Sequence, residues 1–182
     1  MNDFAKMADD EIIRSCIAGD ARAQKALFEK YSRRMMGICL RYAADREEAE
    51  DMLQEGWIKV FRNLQSFRFE GSAEGWMKRV IVNTCLENLR KNKKMSNNVD
   101  IELVDEIKYT EINSSDVLSA KELLGMINRL PAGYRTVFNL YAVEGYSHKE
   151  IGEMLGINES TSKSQYSRAR AHLQKMLELE NA

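Results

Sequence analysis

The chain has 182 residues, 44% of them hydrophobic, with 27 Lys and Arg against 28 Asp and Glu and a formal net charge of −1. That apolar content suffices for packed cores and excludes global disorder, while no apolar run is long enough to cross a bilayer. Acidic residues stand near the N-terminus where a signal peptide has its apolar core, so a cytoplasmic protein with no membrane insertion is expected.

A single proline, Pro131, leaves long stretches free of helix breakers and favours helices throughout. Cys16, Cys39 and Cys85 are isolated and odd in number, which fits neither a disulfide framework nor a metal-binding pair. They are expected as reduced thiols packed like small apolar groups. His148 and His172 also stand apart, and no metal or cofactor is expected.

A first helix is expected over about residues 10–18, stopping at Gly19-Asp20. Asp20 can cap a second, in which Leu27, Phe28, Tyr31, Met35, Ile38 and Tyr42 form a buried stripe. Asp45 and Glu48 give a capping-box pattern for a third, where Leu53, Trp57, Val60, Phe61 and Leu64 recur at helical spacing. Residues 67–71 read as a loop, and Ser72 can open a fourth helix that runs on into RKNKK.

Charge then changes sign along the chain. Residues 61–95 hold eight Lys and Arg against three Asp and Glu, a net of +5, and residues 96–116 hold one Lys against six Asp and Glu, a net of −5. The acidic stretch, SNNVDIELVDEIKYTEINSSD, lacks a sustained apolar stripe. It is expected to be a flexible linker between a domain at 1–95 and another at 117–182. The fold class is therefore all-α: two small helical domains joined by an acidic flexible linker, the second containing a helix-turn-helix.

In the second domain a helix is expected over about residues 118–130, and Pro131 opens the next, where its missing N–H is tolerated. Val137, Phe138, Leu140 and Tyr141 give that helix apolar surface before Gly145. YSHKEIGEMLGINESTSKSQYSRARAHL, from Tyr146, then reads as a helix-turn-helix. Ser147 and Glu150 form a capping box, and Gly152 allows a neighbouring helix close. Gly156 supplies the turn, and Asn158 or Ser160 starts the second helix. Lys163, Gln165, Arg168 and Arg170 among small polar residues suit a helix lying in a major groove.

Two further faces carry chemistry. Asp51, Gln54, Glu55 and Ile58 recur at i, i+3, i+4 and i+7; a solvated face is the plain alternative, but Ile58 among acids suits docking onto a basic protein surface. Trp76, Arg79, Asn83 and Arg90 share a face roughly opposite Met77, Ile81 and Thr84 and combine stacking, amide and guanidinium groups. Packing of Trp76 into the core beside solvated basic residues is the open alternative.

Three segments resemble bacterial sigma factors, in order. AEDMLQEGWIKVFRNLQSF, from Ala49, is similar to their core-polymerase-binding region, and FEGSAEGWMKRVIVNTCLENLRK, from Phe69, to the segment that opens and reads the −10 element. RLPAGYRTVFNLYAVEGYSHKEIGEMLGINESTSKSQYSRARAHL, from Arg129, resembles the −35-reading domain. The likeness is greatest to the small two-domain extracytoplasmic-function group. It implies a non-enzymatic protein that binds core RNA polymerase and promoter DNA, with an anti-sigma factor as a possible further partner. By position it assigns Asp51, Gln54, Glu55 and Ile58 to the polymerase contact. Phe67, Ser72, Trp76, Arg79, Asn83 and Arg90 fall to −10 DNA, and Lys163, Ser164, Ser167 and Arg168 to −35 DNA. Ser160, Ser162 and Tyr166 depart from the family's usual glycine, apolar and aliphatic residues. Two rival classes are an autonomous helix-turn-helix regulator, which leaves the first two faces without a role, and a nucleic-acid-processing enzyme.

Overall fold

The first helix, α1 (Asp9–Ile17), is tied to α2 (Ala21–Tyr42) through its first-turn carboxylate: Asp9 accepts from the Lys30 ammonium at 2.7 Å and from the Tyr31 hydroxyl. The computed structural model describes residues 8–95 and 120–180. All regular elements among them are helical, and the chain divides into two compact units near residue 97. The acidic segment 96–116 and the start of the helix expected near 118 lie outside the described residues.

Capping sets the register of the first unit. The Asp20 carboxylate accepts from the Arg22 N–H at 2.8 Å and starts α2, and Asp45 accepts from the Glu48 N–H at 2.9 Å to start α3 (Arg46–Asn63). Glu48 reaches back to the Ala44 N–H, one residue beyond the expected partner. A short 3₁₀ turn (Leu64–Ser66) and a loop lead into α4 (Ala73–Met95). Leu27, Tyr31, Met35, Ile38, Met52, Trp57, Val60, Leu64, Met77 and Ile81 make the core.

Phe28 departs from the expected stripe. It is 41% exposed and lies against Trp57, ring centroids 5.2 Å apart. Leu27 and Tyr31 take the inward line of α2, and Phe28, rotated about 100° from Leu27, falls at its margin. The three thiols are buried and free, with Sγ of Cys39 and Cys85 3.9 Å apart.

The second unit contains α5 (Ala120–Asn128), α6 (Ala132–Phe138), a π-helical turn (Asn139–Val143), α7 (His148–Leu155) and α8 (Glu159–Glu180). Pro131 stands at the N-cap of α6, a position where its missing N–H costs no intrahelical hydrogen bond. Met126, Ile127, Leu130, Tyr134, Ala169 and Leu173 form the core that α8 shares with α5 and α6. Arg135 donates to the Asn128 carbonyl at 3.2 Å, placing a cation at the C-terminal end of α5.

Candidate protein- and nucleic-acid-binding surfaces

On α3, Asp51 and Gln54 are exposed, and Ile58 is 51% exposed, a large apolar side chain directed at solvent. Glu55 is placed differently. It accepts from Asn88 at 2.8 Å and pairs with Lys59 at 2.9 Å and Lys91 at 3.4 Å, while Lys59 also pairs with Glu87 at 2.7 Å. The Asn88 hydrogen bond, followed by that of Lys59, holds the Glu55 carboxyl down at about 2. Glu55 therefore belongs to the α3–α4 seam, and Asp51, Gln54 and Ile58 are the outward members of the face. Phe28, which the periodicity of α2 assigned to the core, adds an exposed aromatic edge beside Trp57.

On α4, Arg79, Asn83 and Arg90 are exposed and Trp76 is half-buried, while Met77, Ile81 and Thr84 on the opposite side are fully buried. The split matches the one expected from spacing. The loop before α4 differs: Phe67, expected as a DNA contact, is only 6% exposed, its ring centroid 5.8 Å from Trp76 and 5.0 Å from Phe69. Burying a phenyl ring stabilises by about 1.5–3 kcal/mol, so an aromatic that follows a tight 3₁₀ turn folds inward. Phe67 is the loop's anchor, and its exposed neighbours Arg68, Glu70, Gly71 and Ser72 are what the loop presents. The Ser72 hydroxyl also accepts from the Gly75 N–H at 3.2 Å, capping α4.

The helix-turn-helix forms as its residues dictate. Ser147 accepts from the Glu150 N–H at 3.3 Å, and Glu150 accepts from the Ser147 N–H at 2.8 Å, closing the capping box on α7. Gly156 sits at φ +68°, the left-handed conformation that ends α7. At Gly152 an added Cβ would lie 2.8 Å from the Ile157 carbonyl oxygen, so the glycine admits the backbone of the turn itself. Asn158 heads α8, its carbonyl accepting from the Ser162 N–H at 3.0 Å, and Ser160 falls inside the first turn.

Along α8, Ser162, Tyr166, Ala169 and Leu173 face inward at i, i+4, i+7 and i+11, and Lys163, Ser164, Ser167 and Arg168 lie on the other side. Lys163, Ser164 and Arg168 are exposed, and Ser167 is half-buried. Lys163 pairs with Glu159 at 2.7 Å, and Ser164 donates to the Thr161 carbonyl at 2.9 Å.

The two unusual inward residues are explained by His148. Ser162 is fully buried, and its hydroxyl meets the His148 Nδ1 at 2.9 Å. The His148 ring stacks on Tyr141 at 4.2 Å with 10° between planes, and Tyr166 closes on both at 4.6 and 5.8 Å. A polar and an aromatic residue thus replace an aliphatic contact between α7 and α8. Burial, then the nearby Lys163 charge, lower the His148 pKa from its ordinary 6.5, with Glu159 opposing. The unfolded chain therefore binds the proton more readily, so the linked stability is present above the ordinary value and is lost as pH falls below it, down through the lowered folded pKa. A thermal scan from about pH 7 to 5 should show this decline, and the His148→Gln variant, which cannot titrate, should show a shallower one; parallel slopes would exclude His148 as the source.

Two stretches of the chain match known families. Residues 27–95 match Sigma-70 region 2, and residues 120–173 match Sigma-70 region 4. An ECF RNA polymerase sigma factor, SigM, of Mycobacterium tuberculosis is 29% identical over 170 residues, covering 93% of this chain and 85% of the relative. The ECF RNA polymerase sigma-E factor of Haemophilus influenzae is 26% identical, covering 95% and 97%. Among solved structures, the sigma factor RpoE of Bartonella quintana, in complex with the anti-sigma factor NepR, superposes with a TM-score of 0.55 at 23% identity, covering 85% of this chain and 96% of that one. Two sigma regions in the family's order, carried by separate folded units and matched over nearly the whole length of sigma-factor relatives, mean that the chain belongs to the extracytoplasmic-function group of RNA polymerase sigma factors.

Proposed function

We propose a residue-level division of labour for this sigma factor, which binds core RNA polymerase and directs promoter-specific initiation. Asp51, Gln54 and Ile58 dock on polymerase. Trp76, Arg79, Asn83 and Arg90, with the exposed residues of loop 67–72, grip melted −10 DNA. Lys163, Ser164, Ser167 and Arg168 read the −35 major groove. The observation that carries this reading is the two-sided character of α4 and α8: each buries one line of residues and presents its polar and cationic residues on the other side.

The protein acts in the cytoplasm, where polymerase and promoter are. The acidic residues of 96–116 are repelled by DNA and drawn to a basic channel of polymerase. An anti-sigma factor is a fitting further partner, since the similar RpoE forms a complex with one.

A promoter library transcribed by the reconstituted holoenzyme tests the division. Arg168→Ala should relax preference at particular −35 positions by about 1–3 kcal/mol, the worth of a bidentate base contact. Asn83→Ala should relax preference at one −10 position, even on a pre-melted template, because a held base is read after extrusion. Uniform weakening of all promoters by either variant would assign that residue to phosphate contact alone.

A further inference from the structure

Phe69 holds a backbone conformation that a bulky residue rarely adopts, with φ at +57°. Such backbone persists where its surroundings fix it. The ring of Phe67 lies 5.0 Å away and is itself packed on Trp76 at 5.8 Å. The Arg14 guanidinium lies over the Phe69 ring, its carbon 4.2 Å from the ring centroid, within the range of a cation–π contact. A chain of four side chains, Trp76, Phe67, Phe69 and Arg14, therefore runs from α4 through the loop to α1.

We infer that Arg14 is a positioning residue for −10 recognition: seated on Phe69, it holds loop 67–72 in the shape that receives an extruded base. The inference rests on the −10 reading proposed above. Ordering a loop at the moment of binding consumes affinity, and a loop already ordered by its own contacts avoids that loss. Arg14 is exposed and belongs to a different helix from every residue of the proposed −10 surface. It supports the loop from α1 without needing to touch DNA. Phe69 is half-buried and its aromatic face is committed to the contact with Arg14, leaving Arg68, Glu70, Gly71 and Ser72 exposed.

The test uses holoenzyme on a pre-melted template in which each non-template −10 base is varied in turn. Arg14→Ala should reduce discrimination at one position by roughly two- to tenfold, the worth of a cation–π contact expressed as a ratio. Polymerase affinity should be unaltered. Arg14→Lys should retain most of the discrimination, since an ammonium also sits on a ring face. Phe69→Leu, which keeps apolar bulk but removes the π face, should reproduce Arg14→Ala, and it guards against a purely local effect of losing the arginine. Asn83→Ala is the parallel control. If Asn83→Ala loses discrimination while Arg14→Ala and Phe69→Leu both keep it, the inference fails and the −10 reading stands. If none of the variants alters any position, the −10 reading fails and takes the inference with it. Equal slowing at every base, with unchanged ratios, would make Arg14 a stability contact and overturn the proposal.

Discussion

Asp51→Lys combined with Ile58→Ser should weaken binding to core polymerase by about 2–5 kcal/mol, the range for removing a well-formed charged interface contact. Helix content and melting temperature should barely move, because Asp51 and Ile58 are exposed and support no core. Glu55→Lys makes the informative contrast. It would set a new cation beside Lys59 and Lys91 and remove one of the two acceptors of Asn88, leaving only the Thr84 carbonyl, and so open the α3–α4 seam. That variant should therefore lose stability together with affinity, and any binding defect it shows cannot be credited to the interface alone. Titration of core polymerase with each purified variant, beside circular dichroism melts, separates the two effects. Unchanged affinity in the Asp51/Ile58 variant would remove this face from the polymerase contact.

Local chemistry was the readable part of this fold. Asp20, Asp45 and the Ser147–Glu150 pair announce their helices because each cap is satisfied within a few residues of itself. Gly156 does the same for the turn through its permissive φ. Residues at the margin of a helical stripe were not readable in this way. Phe28 and Glu55 occupy positions where periodicity leaves the outcome to the neighbouring helix: Trp57 draws Phe28 to the edge of the core, and Asn88, Lys59 and Lys91 draw Glu55 into the seam. Phe67 is assigned to DNA by its place beside the family-like segment, but its ring packs on Trp76 and Phe69. Departures from the family pattern proved informative once paired: Ser162 and Tyr166 look like poor core residues until His148 and Tyr141 are placed against them. The clip of Arg14 on Phe69 joins residues far apart in sequence, which no helical period connects.

The free protein should bind promoter duplex only at the non-specific level, with Kd on the order of 10⁻⁴–10⁻⁶ M at physiological salt. Duplex affinity grows with the number of phosphates neutralised, and residues 117–182 hold eight basic against seven acidic residues. Of the two cations on the proposed reading face, Lys163 is already paired with Glu159 at 2.7 Å, so a DNA contact must compete with that partner. One recognition helix with so little net charge cannot hold a specific site alone. The acidic residues of 96–116 further oppose DNA lying along the chain. Holding both units in one complex with core polymerase should change the arithmetic, because the second DNA contact becomes intramolecular and its effective concentration rises. Promoter binding by the holoenzyme should then reach the specific range, on the order of 10⁻⁸ M or tighter, and should distinguish promoter from scrambled duplex. Fluorescence anisotropy with labelled promoter, with and without polymerase, measures both values in one titration series. Tight, sequence-dependent binding by the free chain, unimproved by polymerase, would mean that the recognition helix supplies contacts beyond Lys163 and Arg168 and that polymerase contributes melting rather than affinity.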